Sequence, residues 1–361
     1  MVPKSHFQVV IVFLLSSSLC ITCSSGTQLG THFDKWVTWN VKNYYYEKKK
    51  ILEGKGNLGA AGPDLKLRQA ESKRVRIRVS PDGAADFKTI AEALNSIPLR
   101  NTRRVIVSIA PGVYREKIMI PKTLGFITLL GDEGDPPTIT GNDTASSVDG
   151  RDGTPFGTFE SATVANTAPH VIGRRGEQAV ALRISGTKAA FYNCTFYGAQ
   201  DTLYDHKGLH YFSNCSIQGS VDFIFGSGRS LYENCYLNST AEKVASITAQ
   251  KRTNSTLESG FSFKSCTVTG SGQVYLGRAW GDYSRVVFSY TFMDNIVLPK
   301  GWSDWGDPKR DSRVYYGEYK CSGPGANLAA RVPWARVLTD EEARPFVGTQ
   351  FIEGDTWLVS P

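Results

Sequence analysis

Hydrophobic and polar positions alternate in short bursts along most of the chain. Val75-Arg76-Ile77-Arg78-Val79, Arg104-Val105-Ile106-Val107-Ser108-Ile109 and Phe126-Ile127-Thr128-Leu129-Leu130 each read as a strand. So do Val180-Ala181-Leu182-Arg183-Ile184, Gly208-Leu209-His210-Tyr211-Phe212 and Ser230-Leu231-Tyr232. One capped helix is expected over Asp86–Leu94, stopped before Pro98.

The bursts repeat. Phe191-Tyr192-Asn193-Cys194-Thr195-Phe196, Phe212-Ser213-Asn214-Cys215-Ser216-Ile217 and Tyr232-Glu233-Asn234-Cys235-Tyr236-Leu237 align with one another. Phe263-Lys264-Ser265-Cys266-Thr267-Val268 is a looser copy, and Asp294-Asn295-Ile296-Val297 is read as another. A period of roughly 20 residues with a short strand per copy marks a solenoid. No copy holds a long amphipathic helix, which excludes leucine-rich and helical repeats. The remaining architecture is all-β: a right-handed single-stranded parallel β-helix whose coils stack at strand spacing. The short N-terminal helix is expected to cap its open end. After Lys300 the repeat fades, and the Trp-, Tyr- and Pro-rich tail is expected to pack outside as loops and a short helix.

Two aspartates fall in phase with this repeat. Asp201 lies in Gly198-Ala199-Gln200-Asp201-Thr202-Leu203-Tyr204 and Asp222 in Val221-Asp222-Phe223-Ile224-Phe225-Gly226, 21 residues further on. Turn or capping aspartates are the ordinary alternative. In a solenoid, however, equivalent positions on consecutive coils are neighbours, roughly 5 Å apart at the backbone. Two carboxyl groups that close do not both ionise readily. A neutral acid beside a charged nucleophile suits covalent acyl transfer.

Several ordered motifs then carry a resemblance. The two aspartate motifs, Gln178-Ala179-Val180-Ala181-Leu182, Leu276-Gly277-Arg278-Ala279-Trp280 and the earlier Gly112-Val113-Tyr114-Arg115-Glu116 resemble those of plant pectinesterases (pectin methylesterases). The resemblance runs from about Ile77 to near the C-terminus. It implies an esterase that removes methyl groups from homogalacturonan and releases methanol, without cofactor or metal. Asp222 resembles the nucleophile, and Asp201 the acid that protonates methanol's oxygen and then the base that activates water. Gln178 and Gln200 would donate to the anionic intermediate. Arg278 would bind Asp222, keeping it ionised. Tyr204, Phe225, Trp280 and Trp302 are read as groove lining for the flat faces of sugars, with Thr163 also assigned to substrate. The implied partners are pectin and a proteinaceous pectinesterase inhibitor, and a monomer is expected.

Composition and charge fit this picture. Residues 1–25, with Lys4 and His6 before an apolar run from Phe7 to Leu19, read as a signal peptide. Residues 26–75 form a polar N-terminal extension, too short for the inhibitor-like pro-domain of many relatives, and the pectinesterase-like domain follows over 76–361. A secreted cell-wall protein with no membrane span is expected. The net charge of +7 then favours an extracellular polyanion over nucleic acid, for which no binding motif is present. Gly54-Lys55-Gly56-Asn57-Leu58-Gly59 follows no strand, so it is not a dinucleotide site. Of seven cysteines, Cys20 and Cys23 leave with the leader. Cys194, Cys215, Cys235 and Cys266 share a repeat position, and Cys321 is read as remote; both disulfides and a free inward stack remain open. Asn193 and Asn214 are expected to point inward as an asparagine ladder. Glycosylation is therefore assigned to Asn142, Asn238 and Asn254.

Other chemistries find little support. There is no Gly-x-Ser-x-Gly, and His206 and His210 lie four apart on strand and turn rather than on a helix. Pectin depolymerases on the same fold would need their own aspartate cluster or a calcium site.

Ala199, and Ala279-Trp280-Gly281, differ from common family residues. A larger departure follows Ala165, where roughly a dozen residues, one strand and its turn, are missing relative to the family pattern. Counting one period back from Asn193 lands near Ile172, in a segment with no apolar strand. The sheet is therefore expected to be interrupted between Ala165 and Gln178. This gap keeps a second reading in play, a pectin-binding protein with impaired catalysis.

Overall fold

A computed structural model describes residues 9–12, 64–121, 123–132, 134–148, 154–155, 157–163 and 178–358. An eleven-stranded parallel sheet begins Val75–Val79, Val105–Ile109, Ile127–Gly131, Val9–Val12, Ala189–Tyr192. It continues Leu209–Ser213, Arg229–Glu233, Gly260–Lys264, Arg285–Ser289, Tyr315–Tyr319 and Arg336–Val337. A second, nine-stranded sheet takes the alternate stretches of the chain, among them Leu182–Ile184, Leu203–Asp205 and Ile224–Gly226. Its long strands Tyr236–Gln250 and Thr267–Ala279 each serve two faces: Tyr236–Gln250 pairs first with Ser216–Gly219 and later with Ile224–Gly226. Strand, corner, strand, return is the winding of a parallel β-helix, as the repeat requires.

The Asn-Cys dipeptides form the corners of three successive coils, and Ser265, Tyr290 and Lys320 hold the same place in later ones. Asn193, Asn214, Asn234 and Ser265 have φ of 53°, 52°, 54° and 53°, followed in phase by Tyr290 at 54° and Lys320 at 48°. Asparagine recurs because it tolerates the left-handed conformation better than most residues. The inward asparagine ladder does not form: Asn214 and Asn234 are exposed and Asn193 is half-buried. Burial therefore gives no reason to exclude glycosylation at Asn214.

The cysteine one place on does point inward. Cys194, Cys215, Cys235 and Cys266 are buried free thiols. Cys321 belongs to the same line rather than being remote, because Ser289 pairs with Tyr319 and so puts Thr291 and Cys321 in phase. The thiols of Cys215, Cys235, Cys266 and Cys321 donate to the carbonyls of Phe191, Phe212, Tyr232 and Phe288, at 3.4–3.6 Å. The register also moves the copy assigned to 294–297: Phe263 pairs with Phe288 and Thr267 with Phe292, so the repeat unit is 288–293.

An aromatic stack runs beside the thiols. Phe191, Phe212, Tyr232, Phe263 and Phe288 lie face to face with successive centroids 4.8, 4.5, 4.5 and 4.4 Å apart. The spacing is that of the strands themselves, so each ring covers both neighbours and the core is continuous through five coils.

The cap begins later than Asp86. The helix is Ile90–Asn95, with Thr89 and Glu92 in a capping box, and Asp86 instead accepts the Arg78 N–H. Ile90, Ala93 and Leu94 are buried over the first coils. The extension also contains a helix not foreseen, Leu65–Glu71, tied to Arg104 by Glu71 at 2.6 Å. At the other end the repeat outlasts Lys300 by a full strand, Tyr315–Tyr319. The tail then crosses the outside of the first sheet, where Leu338, Phe346, Phe351, Ile352 and Trp357 cover Ile106, Tyr192, Tyr211, Leu231 and Val287.

The place of the missing strand is occupied from elsewhere. Val9–Val12 runs between Ile127–Gly131 and Ala189–Tyr192, parallel to both, with four register pairs on each side. The interruption expected between Ala165 and Gln178 falls outside the described residues; in the described sheet Val9–Val12 stands between the flanking strands. One period before Ala189 falls at 168, within residues 164–177, which lie outside the described residues.

Candidate active site

Register in the second sheet sets two alternating lines of side chains. Leu182, Leu203, Ile224, Thr248, Gly277 and Trp302 align laterally, as do Arg183, Tyr204, Phe225, Ala249, Arg278 and Ser303. Successive side chains of a strand point to opposite faces. The first line enters the core and the second faces outward.

This alternation corrects the assignment of Trp302. Trp302 is 1% exposed, stacks on Tyr316 with centroids 4.4 Å apart, and donates its indole N–H to Glu318 at 3.1 Å. Glu318 is itself buried and held by Arg331 at 2.7 Å. Trp302 is a core residue, not groove lining. Three residues later, Trp305 is exposed and lies under the Arg278 guanidinium, 3.7 Å from its carbon to the ring centroid. Residue type alone could not separate the two tryptophans; Trp302 is on a strand and faces inward, whereas Trp305 is in the turn that follows. Trp302→Ala should cost about 3–5 kcal/mol of stability, read as a fall in melting temperature. Trp280→Ala should instead raise KM about three- to tenfold with little change in melting.

Asp201 and Asp222 sit in the loops that enter Leu203–Asp205 and Ile224–Gly226. Both have left-handed backbone, φ 66° and 50°. The Asp201 N–H donates to the Val221 carbonyl at 3.1 Å and the Asp222 N–H to Ser246 at 2.7 Å, so consecutive loops are stacked in phase. Arg278 Nε donates to Asp222 Oδ1 at 2.8 Å and its Nη2 to Oδ2. This is a bidentate, charge-assisted pair.

The two carboxyl groups are electrostatically unequal. Burial, then the charge of Asp222, pushes Asp201 up to about 8, with Arg278 opposing. Burial also raises Asp222, but the hydrogen bonds and charge of Arg278 pull it back. Of the two carboxyl groups Arg278 hydrogen-bonds only Asp222, which favours the charged form there and the protonated form at Asp201.

Gln200 immediately precedes Asp201. Gln178 enters the coil before, where its carbonyl accepts from the Ala145 N–H at 2.7 Å. Both glutamines are half-buried. Tyr204 and Phe225 stack at 4.3 Å, and Phe225 meets Trp280 at 6.1 Å. Phe225 is 4% exposed, so it forms the floor beneath Tyr204 and Trp280 rather than open lining. Thr163 is also buried; its N–H donates to Val180 at 2.9 Å and its side chain packs on Gly141. Lys251, not foreseen, places its ammonium 4.0 Å over the Trp280 ring.

The two histidines serve separate partners. His210 Nδ1 lies 2.6 Å from Asp205 and its Nε2 2.7 Å from the Gly186 carbonyl, whereas His206 meets Ser185. Among the described residues no cluster of His, Cys, Asp or Glu could hold a metal ion.

Comparison with known proteins gives this architecture a class: pectin methylesterases built on a parallel β-helix. A solved pectin methylesterase from carrot superposes with TM-score 0.67 at 32% identity, over 78% of this chain and 94% of that one. A pectin methylesterase solved with a bound hexasaccharide matches with TM-score 0.64 at 27% identity, over 79% and 98%. The chain belongs to the pectinesterase family, whose model matches residues 76–355. Pectinesterase QRT1 of Arabidopsis thaliana is 39% identical over 98% of this chain and 99% of its own length. Putative pectinesterase 11 of the same plant is 46% identical over 80% and 82%.

Proposed function

We propose that this pectinesterase removes methyl esters from homogalacturonan in the cell wall, with Asp222 as nucleophile and Asp201 as acid and base. The bidentate Arg278–Asp222 pair, with Asp201 on the loop stacked in phase with it, is the observation that carries this reading.

An Asp222 carboxylate oxygen attacks the ester carbonyl carbon. The side-chain amides of Gln178 and Gln200 donate to the oxygen that becomes negative. The carbon–methoxy bond then breaks, and the proton of Asp201 passes to the methoxy oxygen, which leaves as methanol. The acyl group remains as an anhydride with Asp222. Asp201, now a carboxylate, takes a proton from water as the hydroxyl adds to the acyl carbon. Asp222 departs as carboxylate, Asp201 is again protonated, and the uronic acid formed loses its proton to solvent.

The sign of the pH dependence follows. Acylation needs the Asp201 proton, which is present below a pKa of about 8 and lost above it. It also needs Asp222 ionised, so activity declines at low pH. kcat/KM for methanol release should therefore fall as pH rises through about 8. Asp201→Asn should lower kcat about 10²–10⁴-fold and remove that alkaline limb. An unchanged alkaline limb in this variant would withdraw Asp201 from the acid role.

Secretion is part of the same proposal, supported by the leader-like residues 1–25 and the net charge of +7. A second reading, a pectin-binding protein with impaired catalysis, is favoured by one observation: a strand place in the first sheet is filled by Val9–Val12. Methanol release measured beside viscosity loss and pectin binding separates esterase, depolymerase and binding protein.

A further inference from the structure

Behind Arg278 the core holds a buried ion pair that the reaction above leaves unused. The side chains of Arg331 and Glu318 are only 5% and 3% exposed. Arg331 Nε donates to Glu318 Oε1 at 2.7 Å and Nη2 to Oε2 at 3.0 Å. Its other N–H groups donate to the carbonyls of Leu298, Pro299 and Gly325, at 3.3, 3.0 and 2.6 Å. The whole guanidinium fork is thus satisfied. Gly301 makes room for it: its φ is 71°, and a Cβ there would lie 2.5 Å from Arg331 Cδ. A buried ion pair contributes little net stability over apolar groups of similar volume, so what distinguishes this one is what it holds.

Its contacts lead to Arg278. Leu298 and Pro299 lie in the segment that feeds Trp302–Ser303, the strand paired laterally with Gly277 and Arg278. The Leu276 N–H donates to the Gly301 carbonyl at 2.8 Å. Glu318 also accepts the Trp302 indole N–H at 3.1 Å, which holds this strand from the core side. On the outer side Ser303 Oγ accepts the Trp305 N–H at 3.3 Å, and the Trp305 ring lies against the Arg278 guanidinium. Strands ordinarily run roughly five or six residues; one of two residues has little pairing of its own to fix its place.

We infer that Glu318 and Arg331 are positioning residues for the reaction: by fixing Trp302–Ser303 from the core, they seat Arg278 where its guanidinium meets Asp222. The inference rests on the reading above, in which Asp222 must be ionised to attack, and adds to it two residues that touch no substrate.

The test compares wild type, Glu318→Gln, Arg331→Lys, Trp302→Phe and, as a reference, Arg278→Lys, by kcat, KM and the pH profile of methanol release. Glu318→Gln keeps an acceptor for the indole and loses the charged fork. Arg331→Lys has one ammonium for a carboxylate and three carbonyls. Both should lower kcat about 10- to 100-fold, the scale of a reacting group misplaced by about 1 Å, with KM within about twofold. Trp302→Phe leaves the ion pair whole and removes only its link to the strand, so it should act in the same direction by less. It also remains informative if an ion-pair variant fails to fold.

The low-pH limb separates positioning from mere support. Arg278 opposes the rise that burial imposes on Asp222. With Arg278 loosened Asp222 rises further, and activity is lost at a higher pH as pH falls. Asp222 also faces Asp201 and, from the core, Tyr316, and no variant alters either. The position of the limb does not depend on how much of the enzyme is folded. Arg278→Lys should move it upward, and the other three variants should follow. A limb that moves in Arg278→Lys but stays at its wild-type position in the other three would make the ion pair a support for the core alone and overturn the inference. A limb unmoved in Arg278→Lys would instead strike the underlying reading of Arg278 and Asp222, and the inference with it.

Discussion

Asp222→Ala is expected to reduce methanol release by about 10⁴–10⁶-fold, the scale seen when a covalent nucleophile is removed. Pectin binding should stay within a few-fold, because Tyr204, Phe225 and Trp280 hold one another through their own ring contacts. The variant should also remain folded. Asp222 lies in a loop between strands, and the Arg278 it leaves is part-exposed and still rests on Trp305. Asp222→Asn is the sharper companion: it keeps the shape and one of the two acceptors for Arg278 but cannot form the anhydride. Turnover near wild type in either variant would falsify the nucleophile assignment.

The second large effect concerns the borrowed strand. A leader removed near residue 25 and a strand at Val9–Val12 cannot coexist in one mature molecule. Chain lacking residues 1–25 leaves Ile127–Gly131 and Ala189–Tyr192 without the partner that each has along four register pairs. A backbone hydrogen bond contributes a net 0.5–1.5 kcal/mol, so losing even four costs about 2–6 kcal/mol. That is a large part of a total stability of about 5–15 kcal/mol. The truncated chain should melt on the order of 10 °C lower. Its coils beyond the gap carry Gln178 and Asp201, so methanol release should fall as well.

Inserting the missing strand of roughly a dozen residues after Ala165 should reverse both losses. It should also make the melting temperature indifferent to removal of residues 1–25, because the place is then filled from within the coil. Equal melting of truncated and full chains without the insertion would show that Val9–Val12 contributes nothing to the stack. A β-helix is close to a one-dimensional array, so the damage should be local. The aromatic stack from Phe191 to Phe288 lies wholly on one side of the gap.

The period, the strands and the parallel stack were legible in the sequence, because each coil repeats the same local demands. One left-handed corner calls for asparagine, the next position takes a small buried thiol, and one inward aromatic recurs at strand spacing. The carboxyl pair was legible for the same reason, since two residues one period apart must be neighbours. Arg278 was placed by motif resemblance, and its contact with Asp222 is what the fold supplies.

Other features were decided only by tertiary structure. Trp302 and Trp305 are alike as residues and opposite in role, because Trp302 is paired in register on the inward line while Trp305 lies in the turn after that strand. Phe225 faces outward yet is buried, because Tyr204 and Trp280 cover it. Cys321 joins the thiol line only once Tyr315–Tyr319 is paired with Arg285–Ser289. Arg183 and Lys251 read as ordinary charges in the sequence and become part of the aromatic wall only through lateral contacts with Phe159 and Trp280. Val9–Val12 reads as a leader and stands as a strand, because an unpaired place in a sheet attracts an extended apolar segment of the right length. Sequence determines what recurs within a coil; which side chains meet between coils is set by register, and register exists only once the coils are stacked.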